Sequence, residues 1–233
     1  MPASTVKHVP ITLQNPRSPI SEAYRTLRTN IEYASVDAPV RTVLVTSAQP
    51  NEGKTTTVAN LAVVYAMEGK NVLIVDADLR KPTQHLVFMK SNRIGLTSYL
   101  AQRCTLQEAV AETDIDRLHI MTSGPLPPNP AELLASKRME PLLQELCERY
   151  DIVLIDSPPV LAVTDALILA AKCDGVIAVL HAGKVKREHA RNMMKALEHV
   201  RARCLGVVLN NKQIRAANAP YYSYYTYGDE DKA

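Results

Sequence analysis

An eight-residue segment with the spacing A/G-x-x-x-x-G-K-S/T lies at Ala48–Thr55. It follows an apolar run typical of a strand and opens a helical pattern, the context in which this spacing forms a phosphate-binding loop. Loop N–H groups and the dipole of the following helix attract phosphate oxygens. We expect Lys54 to contact the β- and γ-phosphates of a nucleotide and the Thr55 hydroxyl to ligate Mg²⁺. The residues predicted to bind the nucleotide here are Ala48, Gln49, Pro50, Asn51, Glu52, Gly53, Lys54, Thr55 and Thr56.

Carboxylates end two further apolar runs. Asp76 and Asp78 close the run that begins at Leu73, and they share a side if the strand continues through them. Asp156 closes a later run, in the form that holds Mg²⁺ directly or through water. Open α/β sheets bind ligands at the carboxyl ends of their strands. A single Asp there is also typical of a turn or a helix cap, an interpretation that two Asp together with Arg80 in one loop make less suitable. Asp76 or Asp78 could also accept a proton from an attacking hydroxyl.

The elements that must position these residues alternate along the chain. Most of the apolar runs are continuous and do not alternate with polar residues, which is typical of strands buried on both faces of a parallel sheet. The pattern predicts an α/β fold of three layers with a mainly parallel central sheet. The predicted strands are 41–48, 71–78, 117–124, 150–157, 175–182 and 204–211, and the predicted helices are 54–68, 96–101, 105–112, 130–149, 163–172 and 186–201.

The two ends of the chain differ from this pattern. Residues 1–19 carry four prolines and predict an extended arm. A helix is expected from Ser18 to about Ala34, with Ser21 as a possible N-cap. After about Lys212 the chain becomes polar and tyrosine-rich, which favours a flexible tail. One face of the N-terminal helix is predicted to carry Ile20, Tyr24, Leu27 and Ile31.

Composition excludes several classes of protein. The 27 Lys and Arg nearly balance the 24 Asp and Glu, so a nucleic-acid partner is not expected. No apolar run reaches the roughly 18–20 residues of a membrane span, and the N-terminus lacks the apolar region of a secretory signal. The four cysteines form no CxxC pair, which favours free thiols in a reducing cytoplasm over zinc or disulfides.

Tyrosine is distributed unevenly, because five of the ten tyrosines fall between Tyr221 and Tyr227. Phenols on a flexible segment can reach an active site on a neighbouring subunit. Each phosphate adds about −1.5 to −2 charges, so several would repel one another and the acidic end of the chain. A sticky disordered tail is the alternative interpretation, and it is the better one only for a chain without an ATP site.

The motifs together resemble the bacterial protein-tyrosine kinases, the cytoplasmic kinases of exopolysaccharide and capsule systems. Ala48–Thr55 resembles their Walker A motif, Leu73–Arg80 their Walker A′ element D-x-D-x-R, and Ile155–Pro159 their Walker B motif. Glu22–Arg28 resembles their oligomerisation element E-x-x-R-x-x-R, and Tyr221–Tyr227 their autophosphorylated cluster.

The Walker elements alone also fit the partition and septum-positioning ATPases, which act by nucleotide-dependent dimerisation. Those proteins carry an additional lysine where this chain has Gln49, and they end in an amphipathic membrane helix that this sequence lacks. Both differences favour the kinases.

The resemblance implies a P-loop NTPase fold and an ATP- and Mg²⁺-dependent protein-tyrosine kinase that autophosphorylates its tail in trans. It implies an arm at 1–19, a kinase domain at 20–212 and a flexible tail at 213–233. The partners implied are the cytoplasmic tail of a membrane adaptor that activates the kinase, further copies in a ring, a protein-tyrosine phosphatase and other protein substrates. The location implied is the cytoplasm, at the inner face of the membrane through the adaptor.

The same resemblance implies roles for individual residues. From their spacing alone, Glu22, Arg25 and Arg28 would be interpreted as a solvated charged face, and only the resemblance favours a contact between subunits. The resemblance does not divide the metal and base roles between Asp76 and Asp78. The resemblance implies that Lys54, Asp76 and Asp78 act in catalysis, that Thr55, Asp76 and Asp156 bind the metal, and that Arg80 contacts the nucleotide. Resemblance to related P-loop ATPases implies that Asn210 recognises adenine. The residues implied in oligomerisation are Glu22, Arg25 and Arg28, and those implied as phosphorylation sites are Tyr221, Tyr222, Tyr224, Tyr225 and Tyr227.

Overall fold

A computed structural model describes residues 9–34 and 39–212. Within them, a seven-stranded sheet has the order β3-β4-β2-β5-β1-β6-β7, and every neighbouring pair is parallel except β3 and β4. The predicted α/β fold with a mainly parallel sheet is therefore confirmed. The strands are β1 (Thr42–Ser47), β2 (Val72–Asp76), β3 (Ala111–Glu112), β4 (Leu118–Met121), β5 (Ile152–Asp156), β6 (Gly175–His181) and β7 (Cys204–Asn210).

Helices flank both faces of the sheet. None of the helices in the described ranges is long and apolar enough to span a membrane. The helices are α1 (Ile11–Gln14), α2 (Pro19–Tyr33), α3 (Lys54–Met67), α4 (Gln84–Val87), α5 (Leu96–Leu100), α6 (Leu106–Ala109), α7 (Pro130–Leu134), α8 (Met139–Arg149), α9 (Asp165–Ala170) and α10 (Arg187–His199).

The continuous apolar runs form the central strands because both faces of the sheet are covered. Every residue of β1, β2 and β5 is buried. Alternate residues point to opposite faces of a strand. Leu44 accordingly belongs to the core beneath α5–α10, whereas Val43 and Val45 belong to the core beneath α2 and α3. The sheet is thus the middle of three layers.

Strand order brings the predicted site together. β2 and β5 are neighbours, and Asp76 is the register partner of Asp156. β1, which leads into the phosphate loop, pairs with the other side of β5, with Val45 opposite Asp156. All three strands run in the same direction, so the loop and both carboxylates lie at one edge of the sheet.

The N-terminal segment differs from its prediction. The expected extended arm contains the short helix α1, in which Thr12 is buried and donates its backbone N–H to Asn60 Oδ1 of α3 (3.0 Å). The N-cap of α2 is Ser18, whose side chain accepts the N–H of Ser21. Ser21 is instead buried inside the helix and donates to the Asn15 carbonyl (2.7 Å). The Ser21 hydroxyl is thus bonded to the chain before the helix, and Ser18 caps the helix instead.

Other elements differ in detail. The predicted stripe on α2 is buried at Ile31 but exposed at Ile20, which lies in the first turn beyond the packed surface. The helix predicted at 130–149 is two helices, α7 and α8, separated by a turn in which Met139 N–H donates to the Ser136 carbonyl. The end of the helix predicted at 105–112 forms β3, which pairs with β4. The sequence pattern did not predict the short helix α4.

Candidate active site

The phosphate loop connects β1 to α3 with the geometry that the motif requires. Gly53 adopts a left-handed conformation (φ +98°) at the N-cap of α3, a conformation that L side chains rarely adopt. The Thr57 N–H donates to the Gly53 carbonyl (2.9 Å) and begins the helix directly behind the loop. Lys54 is 7% exposed. The N-terminal N–H groups of α3 therefore face the loop, where a phosphate would bind.

Asp76 is the last residue of β2 and is fully buried. Its Oδ2 accepts the N–H groups of Thr83 (3.1 Å) and Gln84 (3.0 Å). Its Oδ1 accepts the N–H of Asp78 (3.3 Å). The strand does not continue through Asp78, so these two carboxylates do not share a strand face. Asp78 is half-buried in the following loop, and its Oδ1 accepts the N–H of Lys81 (3.0 Å).

Gln84 joins the loop to the carboxylates. It is fully buried at the start of α4, and its Nε2 donates to Asp156 Oδ2 (2.9 Å) and to the Thr55 carbonyl (3.2 Å). Beside it, the Thr83 hydroxyl donates to the Thr55 hydroxyl (3.2 Å). Neither residue was predicted to belong to the site, because a Thr-Gln pair in a loop carries no recognisable signal until the fold places it between two strands.

Burial dominates the electrostatics of the two carboxylates. Burial, and next the charge of Asp156, raise the pKa of Asp76 well above its ordinary value. Burial raises the pKa of Asp156 to about 6, although hydrogen bonds from Thr55 and Gln84 and the charge of Lys54 oppose the rise. A pair of buried carboxylates with raised pKa values is typical of a site that holds a cation or a proton.

The donor set fits Mg²⁺. This cation prefers hard oxygen ligands and is usually held by one or two carboxylates together with substrate phosphates and water. The Thr55 hydroxyl and the Asp156 carboxylate supply such oxygens next to the phosphate loop. Among the described residues, Asp156 Oδ1 is buried and accepts no hydrogen bond, which leaves this oxygen available to a metal ion or its water.

Arg80 forms an ion pair that the sequence did not predict. Its Nε and one terminal nitrogen donate to the two oxygens of Asp165, each at 2.9 Å. Asp165 is fully buried, whereas the Arg80 side chain is 41% exposed. Asp165 opens α9 and has the pattern of an ordinary acidic residue in a first helical turn, so no local signal could identify its partner. The nucleotide-binding role of Arg80 stays a prediction.

Asn210 ends β7 and contacts the phosphate loop. Its side-chain Nδ2 donates to the Glu52 carbonyl (3.0 Å). The carboxylate of Glu52 is almost fully buried and accepts the Gln49 N–H (2.8 Å). These contacts bring the end of β7 to the loop, although β6 lies between β7 and β1 in the sheet. The adenine-binding role of Asn210 stays a prediction.

The predicted oligomerisation residues have partners within the chain. Arg25 pairs with Glu22 (2.7 Å), at i and i−3 on α2. Arg28 is mostly buried and pairs with Glu68 at the end of α3. An intersubunit role for these three residues stays a prediction. The five tail tyrosines predicted to be phosphorylated lie outside the described residues.

The sequence matches a known protein family and a named tyrosine-protein kinase. A family model described as an AAA domain matches residues 40–214. The chain is 48% identical over 221 residues to "Tyrosine-protein kinase YwqD" of Bacillus subtilis (strain 168), a match that covers 95% of this chain and 92% of that protein.

Two solved structures are similar to this chain in fold. The crystal structure of the chimerical protein CapA2B2 has a TM-score of 0.85 and 41% identity, and the match covers 88% of this chain and 90% of that chain. The septum site-determining protein MinD from Pyrococcus horikoshii OT3, complexed with Mg-ADP, is more distant, with a TM-score of 0.63, 25% identity, and coverage of 78% and 76%. With the loop and both carboxylates at one edge of the sheet, and a relative so similar over nearly all of its length, the chain belongs to the bacterial tyrosine-protein kinases.

Proposed function

We propose that this kinase uses ATP and Mg²⁺ to phosphorylate the tyrosines of its own C-terminal cluster in trans, and thereby regulates exopolysaccharide or capsule synthesis. The proposal is supported above all by one observation: Lys54, Thr55 and Asp156 lie together at one edge of the sheet, next to the carboxylates of Asp76 and Asp78. The tyrosine cluster of the sequence supplies the acceptor, and membership of the kinase family supports the reaction class.

The residues of the site divide the chemistry between them. Lys54 and the N–H groups of the loop would hold the β- and γ-phosphates and neutralise charge that develops in the transition state. Bound Mg²⁺ would supply further neutralisation, held by Thr55 and Asp156. The acceptor tyrosine must lose its proton as its oxygen attacks the γ-phosphate in line.

We assign the base role to Asp78 and the metal-side role to Asp76. The two oxygens of Asp76 already accept three backbone N–H groups in a fully buried position, which fixes the carboxylate and hides it from a protein substrate. Asp78 is half-buried, and within the described residues only its Oδ1 accepts hydrogen bonds. Its other oxygen can therefore meet a phenol that enters from solvent.

A mixing experiment tests phosphorylation in trans. Lys54→Met keeps the acceptor tail but lacks the phosphate-binding lysine, and a second variant keeps Lys54 but carries Phe at all five tail tyrosines. The two are incubated together with Mg-ATP, without and with the cytoplasmic tails of candidate adaptors, and phosphate is located by mass spectrometry. We expect phosphotyrosine on the tail of the Lys54→Met chain in the mixture, and none when this variant is incubated alone.

Other outcomes separate the alternatives. Labelling of the wild-type tail without labelling of the Lys54→Met chain in the mixture would show a reaction in cis. Hydrolysis of ATP without any phosphotyrosine would instead favour the nucleotide-dependent switch of the septum-positioning ATPases. Asp78→Asn should abolish tail labelling while nucleotide affinity remains within about threefold of wild type, since a base acts on the acceptor and not on the phosphates.

Assembly and location are tested separately. Glu22→Ala and Arg25→Ala are the cleaner variants for a ring, because both side chains are about one-third exposed, whereas Arg28 is held by Glu68 inside the chain. Light scattering of the wild type and these variants should show loss of the larger species. When cells with and without the adaptor are fractionated, we expect the kinase in the membrane fraction with the adaptor and in the cytoplasmic fraction without it.

A further inference from the structure

The side chain of Asn210 lies directly against the phosphate loop. A Cβ atom built on Gly53 would lie 1.9 Å from Asn210 Nδ2 and 3.0 Å from its Cγ. The absence of a side chain at Gly53 is therefore required twice, once by its left-handed backbone and once by this amide. Asn210 occupies the space that the loop leaves open on its β7 side.

Hydrogen bonds fix the orientation of this amide. Asn210 Nδ2 donates to the Glu52 carbonyl (3.0 Å), one residue before the tight turn of the loop. Its Oδ1 accepts the N–H of Asn211 (2.9 Å). Both ends of the amide are thus held, and the donor is directed to the backbone of the loop. Its main chain is also anchored, because the Ala182 N–H donates to the Asn210 carbonyl (2.8 Å).

A second contact fastens the same part of the loop from the β6 side. Glu52 is 3% exposed, and its carboxylate accepts the Gln49 N–H (2.8 Å) and the N–H of His181 at the end of β6 (3.5 Å). The Asn211 side chain in turn contacts His181 Nε2 (2.9 Å). The ends of β6 and β7 therefore form one hydrogen-bonded support beneath residues 49–53.

We propose that Asn210 is a positioning residue for the phosphate loop, and that it acts on nucleotide binding through the Glu52 carbonyl instead of by reading adenine. The inference rests on the nucleotide-binding role proposed above. The loop must hold its N–H groups and Lys54 at fixed positions before phosphate arrives, and a donor locked on its backbone contributes to that preorganisation. Such a role affects only the binding of the phosphates. Replacing Asn210 should therefore lower the affinity by the same factor whichever base the ligand carries.

The test compares ligands that share phosphates but differ in the base. Affinities of the full chain for ATP, GTP and inorganic tripolyphosphate are measured by calorimetry for the wild type and Asn210→Ala. Loss of one hydrogen bond to the loop predicts weaker binding by about two- to tenfold. We expect the same factor for all three ligands and an unchanged ratio of ATP to GTP affinity. The exposed neighbour Leu209 provides the matched control, and Leu209→Ala should leave all affinities unchanged.

Asn210→Leu separates the hydrogen bond from packing. It approximately keeps the size of the side chain against Gly53, adds no charge near the phosphates and lacks the donor to the Glu52 carbonyl. We expect affinity for all three ligands to fall about as far as in Asn210→Ala, whereas a packing role would leave this variant near wild type. Circular dichroism establishes that each variant is folded before it is titrated.

The possible results are distinct. A loss confined to ATP, with tripolyphosphate and GTP unaffected, would overturn the positioning role and support adenine recognition. Unchanged affinities in both Asn210 variants would also overturn it. Failure of the wild type to bind any of the three ligands would instead overturn the proposed nucleotide site, so the two failures are distinguishable.

Discussion

Replacing Asp156 by Asn is expected to stabilise the protein in the absence of metal and nucleotide, although it removes a residue of the proposed metal site. Asp156 is buried beside Asp76, and its carboxyl pKa is raised from 3.8 to about 6. One pKa unit corresponds to about 1.4 kcal/mol, so the ionised carboxylate lowers the free energy of unfolding at pH 7 by about 3 kcal/mol. Asn has nearly the same shape and carries no charge.

The sign of the pH dependence follows from the raised pKa. The folded chain binds the Asp156 proton more tightly than the unfolded chain, so the destabilising contribution of this residue is largest above pH 6 and disappears as the pH falls towards 4. Asp156→Asn removes this dependence. Its advantage over the wild type should be about 3 kcal/mol at pH 7, about half of that at pH 5, and less than about 1 kcal/mol at pH 4.

Urea unfolding in EDTA at these three pH values measures the difference. Asp116→Asn is the matched control, because its side chain is 98% exposed and its change should have little effect at any of the three pH values. An Asp156→Asn protein that is no more stable than wild type at pH 7, or whose advantage is the same at pH 7 and pH 4, would show that burial of the Asp156 charge does not destabilise the folded chain. The same variant should lose tail phosphorylation, because the metal site loses a carboxylate.

Three further predictions concern contacts outside the phosphate loop. Arg80→Gln should lower the free energy of unfolding by about 1–3 kcal/mol because it leaves Asp165 buried without its cation, and the double variant with Asp165→Asn should recover part of this loss in a double-mutant cycle. Ser18→Ala should cost about 1 kcal/mol in thermal or urea unfolding because it removes the N-cap of α2; no change would contradict the assigned cap. Asn60→Ala should cost about 2 kcal/mol and expose the Thr12 region to proteolysis, since Asn60 Oδ1 accepts both the backbone N–H and the hydroxyl of Thr12; intact protection would show that α1 is held by other contacts.

Much of the site could be predicted from the sequence because its signals are local. The loop at Ala48–Thr55 needs a glycine with a left-handed backbone and a lysine at fixed spacing, and both are visible within eight residues. Asp76 and Asp156 each end an apolar run, so the carboxyl end of a buried strand marks them. The same continuous runs predicted the parallel sheet, because only strands covered on both faces are apolar at consecutive positions.

Local signals were insufficient where two segments compete for one role. Both Ser18 and Ser21 are good N-cap residues, and the choice between them depends on Asn15, which accepts the Ser21 hydroxyl. The long pattern at 130–149 is helical throughout, yet the chain turns between α7 and α8 to pack against the sheet. In the first case the chain just before α2 decides between the two serines, and in the second case packing against distant elements overrides the local helical preference.

Short segments of the sequence therefore show which residues can bind phosphate and metal, because motif spacing and strand ends are local properties. The partners of these residues depend on the tertiary structure. The order β2-β5-β1 sets Asp76 beside Asp156, Gln84 links that pair to the loop, Asp165 binds Arg80 from 85 residues away, and Asn210 supports the loop from 158 residues away. Contacts between segments so far apart leave no trace in local spacing, because they depend on how the strands are ordered in the sheet.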